Sequence, residues 1–208
     1  MKITVIGASA GIGLNTVSQA LERGHEVTAF SRNMISVPDH DLLTKVNGDA
    51  TSEAAVRKAI LDADAVIVTI GTKNKKDTSL FVETAKALVN ASSDLHFKKP
   101  IFVVTGFGAG ESARYLGLLM KTVIHIFLKN QYEQKTEMEK LITESSLAWE
   151  IVRPGMLTNG PLTKSYQTIT HLSPDVKIGK ISRADVADFL INQAENPSML
   201  YKFPALTR

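Results

Sequence analysis

The 208 residues are 44% hydrophobic and 22% charged, an ordinary globular mixture long enough to bury a sizeable core. A net charge of +3, with the cations scattered along the chain, gives no basic stripe for nucleic acid and mildly favours small anionic ligands. Cysteine is absent, which excludes disulfides, thiolate catalysis and cysteine-based metal sites.

The chain opens on Ile3, Val5 and Ile6, a short β-type run, and then breaks at Gly7, Gly11 and Gly13. A strand in the place of a signal peptide sets the expectation of a cytoplasmic protein. After Gly13 the period becomes helical through Leu14, Val17 and Leu21, and Gly24 follows where a helix C-terminus favours glycine. Strand, glycine turn and helix form the pattern of a dinucleotide phosphate site. Gly7 permits the tight turn, Gly11 lets backbone approach a diphosphate, and Gly13 lets the helix pack on the strand. The helix N-terminus offers free N–H groups and partial positive charge. The expected cofactor contacts here are Gly7, Ala8, Ser9, Ala10, Gly11, Ile12 and Gly13.

His25–Ser31 predicts a second strand, ending at Ser31, Arg32 and Asn33. In dinucleotide folds this end lies beside the adenine ribose, where a carboxylate selects the 2′-hydroxyl and an arginine suits a 2′-phosphate. No carboxylate stands between Glu26 and Asp39, so Ser31 and Arg32 favour NADP(H) over NAD(H). Arg32 as a solvated surface charge is the plainer alternative. A third strand over Leu42–Val46 leads to Asp49 and Ala50. Asp49 suits an acceptor for the adenine amino group, or equally turn and cap chemistry before a helix at Ser52–Leu61.

Ala63–Gly71 is a continuous apolar run, the pattern of a parallel strand buried on both faces, and Ile70, Gly71 and Thr72 at its end are expected to lie against the cofactor. The polar stretch Lys73–Asp77 precedes a helix face made by Phe81, Ala85 and Leu88. Ile101–Thr105 predicts the next strand, with Thr105, Gly106 and Phe107 on the cofactor side. Tyr115–Leu128 is apolar nearly all round, broken by Lys121 and His125, and falls short of the ~20 residues of a membrane span. It predicts a helix buried on several sides, in the core or against another subunit, so the expected state is monomer or homodimer with no membrane partner.

A helix over Gln131–Ser145 turns Met138, Leu141 and Ile142 inward. Ala148–Val152 is a strand holding Glu150, with Arg153 after it as a buried structural pair, and its end contributes Pro154, Gly155 and Met156 to the cofactor site. Residues 157–179 read as loop and include His171, which could close over a substrate. Ser182–Asp185 is a capping box opening a helix with Val186, Phe189 and Leu190 inward, and Met199–Phe203 reads as a last short strand. Strands alternating with helices imply a Rossmann-type doubly wound parallel sheet flanked by helices, one domain over 1–208 with a small substrate-side portion at about 155–180.

These segments resemble the short-chain dehydrogenases/reductases. GASAGIG fits their G-x-x-x-G-x-G turn, with Ile6 where orthodox members usually carry Thr. TGFGAGES at 105–112, E-x-L at 139–141, the run from Ser146 to Gly155, L-T-N-G at 157–160 and S-R-A-D-V-A at 182–187 resemble the atypical, NAD(P)H-binding or NmrA-like branch. That branch includes biliverdin reductase B/flavin reductase-like proteins. The resemblance spans essentially the whole chain and implies a Rossmann fold with bound NADP(H) or NAD(H).

Orthodox members use Tyr-x-x-x-Lys, the tyrosine as proton donor and the lysine holding the nicotinamide ribose. Here Tyr132 and Lys135 stand three apart, on one helix face but outside that motif. The resemblance therefore assigns Lys135 to the ribose hydroxyls and leaves Tyr132 a candidate acid. Thr105 lines the nicotinamide pocket, and Ser112 serves as a helix N-cap. Hydride transfer to a flavin, quinone or similar conjugated carbonyl needs little acid assistance, which makes an NADP(H)-dependent oxidoreductase the first expectation. A non-catalytic NADP(H)-binding sensor is the second. A sugar-nucleotide epimerase is the weakest, lacking both the dyad and a large C-terminal lobe.

Overall fold

The apolar runs at 3–6, 65–68 and 101–104 form the centre of a sheet buried on both faces, as parallel strands require. The computed structural model describes residues 1–72 and 79–208, so the polar stretch Lys73–Asp77 lies outside the described residues. In chain order the first half comprises β1 (Lys2–Ile6), α1 (Gly11–Glu22), β2 (Glu26–Ser31), β3 (Leu43–Asn47), α2 (Glu53–Ile60), β4 (Ala65–Val68), α3 (Leu80–Asp94) and β5 (Pro100–Val104). The second half comprises α4 (Leu118–Val123), α5 (Lys129–Thr143), β6 (Ala148–Pro154), β7 (Met156–Thr158), β8 (Gln167–Ile169), β9 (Lys180–Ser182), α6 (Arg183–Glu195) and β10 (Ala205–Thr207).

The main sheet runs β3-β2-β1-β4-β5-β6-β10-β8, parallel throughout except for β8, and β7 pairs with β9 separately. The fold is a Rossmann-type α/β sheet. Helices α1 and α6 cover one face, packing Val17, Ala20, Val186, Phe189 and Leu190 on Val5, Ile67 and Phe102. Helices α2, α3 and α5 cover the other, with Val56, Phe81, Leu88, Met138 and Ile142 against Ile6, Val68 and Ile151. Strand order reverses between β1 and β4, and the crevice at such a point is where these sheets bind ligands. Helix ends follow the sequence signals. Gly24 takes φ +78 behind α1, and Ser52 and Ser182 cap α2 and α6 by accepting from Ala55 N and Asp185 N.

Several expectations are corrected. Tyr115–Leu128 is not one buried helix: a 3-10 turn at Gly110–Tyr115 leads into α4, a π-helical turn at Ile124–Leu128, and then α5. Only Ile124 in α4 and the π turn is buried, while Leu118, Leu119, Ile126 and Phe127 are 86, 78, 63 and 57% exposed. The segment between 157 and 179 holds the end of β7 and all of β8 rather than loop alone. The last strand is Ala205–Thr207, because Met199–Phe203 contains a turn with Tyr201 at φ +62. Glu150 and Arg153 do not pair: three apart on a strand, they project to opposite faces.

Candidate cofactor cleft

At the end of β1 the chain leaves the sheet through Gly7, at φ +90, whose N–H donates to the Phe30 carbonyl over 2.9 Å. A Cβ on Gly7 would stand 2.9 Å from the Thr69 backbone, and one on Gly13 would overlap the Gly7 carbonyl. Both glycines are therefore required by packing between β1, α1 and the end of β4. Gly11, at φ +57, faces the cleft, where an added Cβ would meet only Arg183, at 3.5 Å from Nε. The N-cap Ala10 brings no capping side chain and the first turn of α1 no acid, so its N–H groups and positive dipole end are unneutralised.

This turn borders a cleft of about 490 Å³, within the range of small-molecule and cofactor sites. At one end Ser9 and Ser31 share a hydrogen bond of 2.9 Å, and exposed Arg32 stands beside Asn33. Asp49 lies on the same wall, but its Oδ1 accepts from Thr51 N at 3.0 Å and Thr51 Oγ1 at 2.9 Å, which holds its carboxyl below the usual range. Turn chemistry thus occupies one oxygen of that carboxylate. Ala50, Ile70, Gly71 and Thr72 continue the wall.

The far end is built around Lys135. Its ammonium donates to the Thr105 carbonyl over 2.7 Å. Withdrawal from water lowers its pKa to about 8, opposed by attraction to Glu139. Thr105 Oγ1 in turn donates to Glu139 Oε1 over 2.6 Å, and buried Arg153 grips Glu139 with Nε and Nη2 at 3.0 and 2.7 Å. The same guanidinium reaches Glu111 at 2.6 and 2.9 Å and lies over the Phe203 ring, 4.2 Å from its centroid. The Glu111–Arg153–Glu139 network thereby fixes the strand end and the helix turn that carry Thr105 and Lys135. Tyr132 joins them, as its i, i+3 spacing from Lys135 allows. A Cβ on Gly106 would lie 3.4 Å from the tyrosine hydroxyl and 3.5 Å from Lys135 Nζ. Burial raises the Tyr132 pKa above its ordinary value.

A family model described as NAD(P)H-binding matches residues 7–197. The chain belongs to that family. This agrees with the resemblance to atypical short-chain dehydrogenases/reductases. The uncharacterized protein YwnB of Bacillus subtilis (strain 168) is 29% identical over 209 residues, covering 95% of this chain and 93% of that one. Among solved structures, ChuY, an anaerobillin reductase from Escherichia coli O157:H7, matches with TM-score 0.78 at 24% identity, over 100% of this chain and 97% of ChuY. A short-chain dehydrogenase/reductase from Veillonella parvula DSM 2008, in complex with NADP, matches with TM-score 0.84 at 18% identity, over 100% and 94%. At these identities the structural likeness is one of fold.

The cleft gathers Gly7, Ser9, Ala10, Gly11, Ile12, Ser31, Arg32, Asn33, Asp49, Ala50, Ile70, Gly71, Thr72, Thr105 and Lys135. Other expected contacts stand off it. Ala8 is core, Gly13 is packed beneath the turn, and Gly106 is beside Lys135 and Tyr132 but off the wall. Phe107 donates its N–H to the Pro154 carbonyl at 2.9 Å and lines a second hollow of about 910 Å³ with residues of 114–120 and 174–179. Pro154 closes β6, Gly155 abuts the Gly179 carbonyl, and Met156 pairs with Lys180. Ser112 is no helix N-cap: it lies within the 3-10 turn, donating to the Ala109 carbonyl and accepting from Gly108 N. His171 is exposed and off the wall. Leu80, Leu157 and Arg183 line the cleft unforeseen. The sequence signals for Arg183 are its place beside the cap Ser182 and within the S-R-A-D-V-A run, neither of which points to the cleft.

Proposed function

We propose that the chain is an NADP(H)-dependent oxidoreductase that reduces a flavin, quinone or similar conjugated carbonyl acceptor, acting in the cytoplasm as a monomer or homodimer. The observation that supports it best is one cleft with the uncapped α1 terminus and Arg32 toward one end and Lys135 at the other. The residues fit a dinucleotide: Gly11 leaves open a space that a side chain would fill, beside unneutralised N–H groups. When bound, the nicotinamide would supply the hydride.

The chain's own part is binding and placement. Gly11, Ile12 and the α1 terminus would hold the diphosphate, and Ser31 and Arg32 the 2′-phosphate. Arg32 brings a planar fork of donors, and Asn33 flanks it. Lys135, steadied by Thr105 and Glu139, would hold the nicotinamide ribose. Ile70, Gly71 and Thr72 would exclude water from the cofactor's face, and the hollow lined by Phe107 would seat the acceptor. A conjugated acceptor takes up charge in its own π system, so solvent or Tyr132 suffices as proton source. That ChuY is an anaerobillin reductase is in keeping with reductase chemistry on this fold.

A sensor that binds NADP(H) without turnover is the second reading, favoured by the three-residue spacing of Tyr132 and Lys135. NADPH consumption with FMN, riboflavin or a quinone separates the two. Acceptor-dependent oxidation supports the reductase, whereas tight NADPH binding without oxidation of any acceptor supports the sensor.

A further inference from the structure

Arg183 opens α6, yet its guanidinium reaches the first turn of α1, far away in sequence. Its Nε and Cδ lie 3.5 and 3.6 Å from where a Cβ on Gly11 would stand, on the wall of the same cleft. Hydrogen bonds hold the start of α6 in place there. Gln19 of α1 donates Nε2 to the Ala184 carbonyl over 2.9 Å, strapping the start of α6 to α1 beside Arg183. Ser182 caps α6 through Asp185 N, and the Asp185 carboxylate is taken up by Thr163 N at 2.7 Å, Thr163 Oγ1 at 2.9 Å and Lys164 N at 2.9 Å. The nearby acid therefore does not neutralise Arg183. Among the described residues no carboxylate pairs with it, and its one hydrogen bond runs from Nη1 to Asn159 Oδ1 over 2.7 Å.

A guanidinium has five N–H donors in a fixed fork, suited to two oxygens of a phosphate. Here most of them are unused beside the glycine whose backbone is left bare. We infer that Arg183 clamps the diphosphate of the bound dinucleotide against the Gly11 turn, with Asn159 holding the guanidinium in place. The site thus gains a phosphate-binding cation from the C-terminal segment, and the 159–183 region becomes part of the cofactor site as well as of the acceptor side. This rests on the dinucleotide reading of the cleft and adds a residue with a defined selectivity. The diphosphate is common to NADPH and NADH, so the clamp acts on both alike, whereas Arg32 faces the end where they differ.

The test is calorimetric titration of NADPH and NADH into the wild-type chain, Arg183→Ala and Arg183→Lys, with thermal unfolding of each protein without ligand. Loss of a charge-assisted contact predicts affinity for both dinucleotides lower by about tenfold or more in Arg183→Ala, by the same factor. Arg183→Lys should recover part of it as a point charge, with the ligand-free unfolding temperatures unchanged. Wild-type affinity retained in Arg183→Ala overturns the clamp while leaving the dinucleotide reading intact. A loss confined to NADPH overturns it too, by moving the contact to the 2′-phosphate. A lower unfolding temperature in both variants with no rescue by lysine makes Arg183 a structural residue and overturns it. A wild-type chain that binds neither dinucleotide removes the clamp together with the reading it rests on.

Discussion

Replacing Glu150 by glutamine should remove a steep loss of stability as pH rises from about 4.5 to about 8. Glu150 is 0% exposed, on the face of β6 that it shares with Val152 in the core beneath α6, and neither carboxyl oxygen has a hydrogen-bond partner among the described residues. Burial without a partner disfavours the anion and lifts its pKa from 4.5 to about 8. Because the folded-state pKa exceeds the unfolded one, the stabilising contribution is complete below 4.5 and is lost as pH rises through 8. The loss is about 1.4 kcal/mol per pH unit in that window, of order 5 kcal/mol in all, a large part of the ~5–15 kcal/mol that holds a domain folded. Glutamine preserves the shape and does not titrate. Urea unfolding of both proteins from about pH 5 to about pH 9 should show the wild-type midpoint falling relative to Glu150→Gln, with the two curves closest at the acid end. Parallel curves across that range would refute the argument by showing that the carboxyl finds water or a partner.

Three further outcomes follow from the site. Arg32→Ala should weaken NADPH by about tenfold or more in a fluorescence titration while NADH is nearly unaffected; equal losses would take Arg32 off the 2′-phosphate. With its pKa lowered to about 8, Lys135 keeps the ammonium below that pH and loses it above, so turnover that depends on the cation should decline through about pH 8. Lys135→Arg, which does not titrate there, should shift or abolish that decline, and Lys135→Met should lower kcat/KM most below about pH 8, the deficit narrowing above it. Arg153→Met would strand Glu139 without its buried counter-ion and cost about 3–5 kcal/mol, read as a lower urea midpoint. An unchanged midpoint would mean that the Arg153–Glu139 pair contributes nothing to stability.

The strand–glycine–helix unit and the strand ends were legible because each rests on local pattern: period-2 and continuous apolar runs, then glycines at fixed spacing. The cleft wall from Gly7 to Lys135 accordingly contains most of the residues expected of it. What was not legible depends on contacts distant in sequence. The apolar run at 115–128 has no polar face to fix its orientation, so hydrophobicity alone could not tell a buried helix from the π-interrupted, outward-facing one that forms. Tyr201 donates its N–H to the Trp149 carbonyl, an attachment that a β-like composition at 199–203 does not reveal. Arg153 was expected beside Glu150, but strand alternation sends it to Glu139 and Glu111 instead. Arg183 stayed hidden because a capping motif signals a helix start, not what stands over it.

The central claim is that the cleft binds a dinucleotide and prefers the one with a 2′-phosphate. Calorimetric titration of the purified chain with NADPH and then NADH tests it most directly. Both should bind, with NADPH tighter by about tenfold or more, a difference of about 1.4 kcal/mol. Equal affinities, or tighter NADH, would contradict the role given to Ser31 and Arg32, and binding of neither would contradict the cofactor site itself.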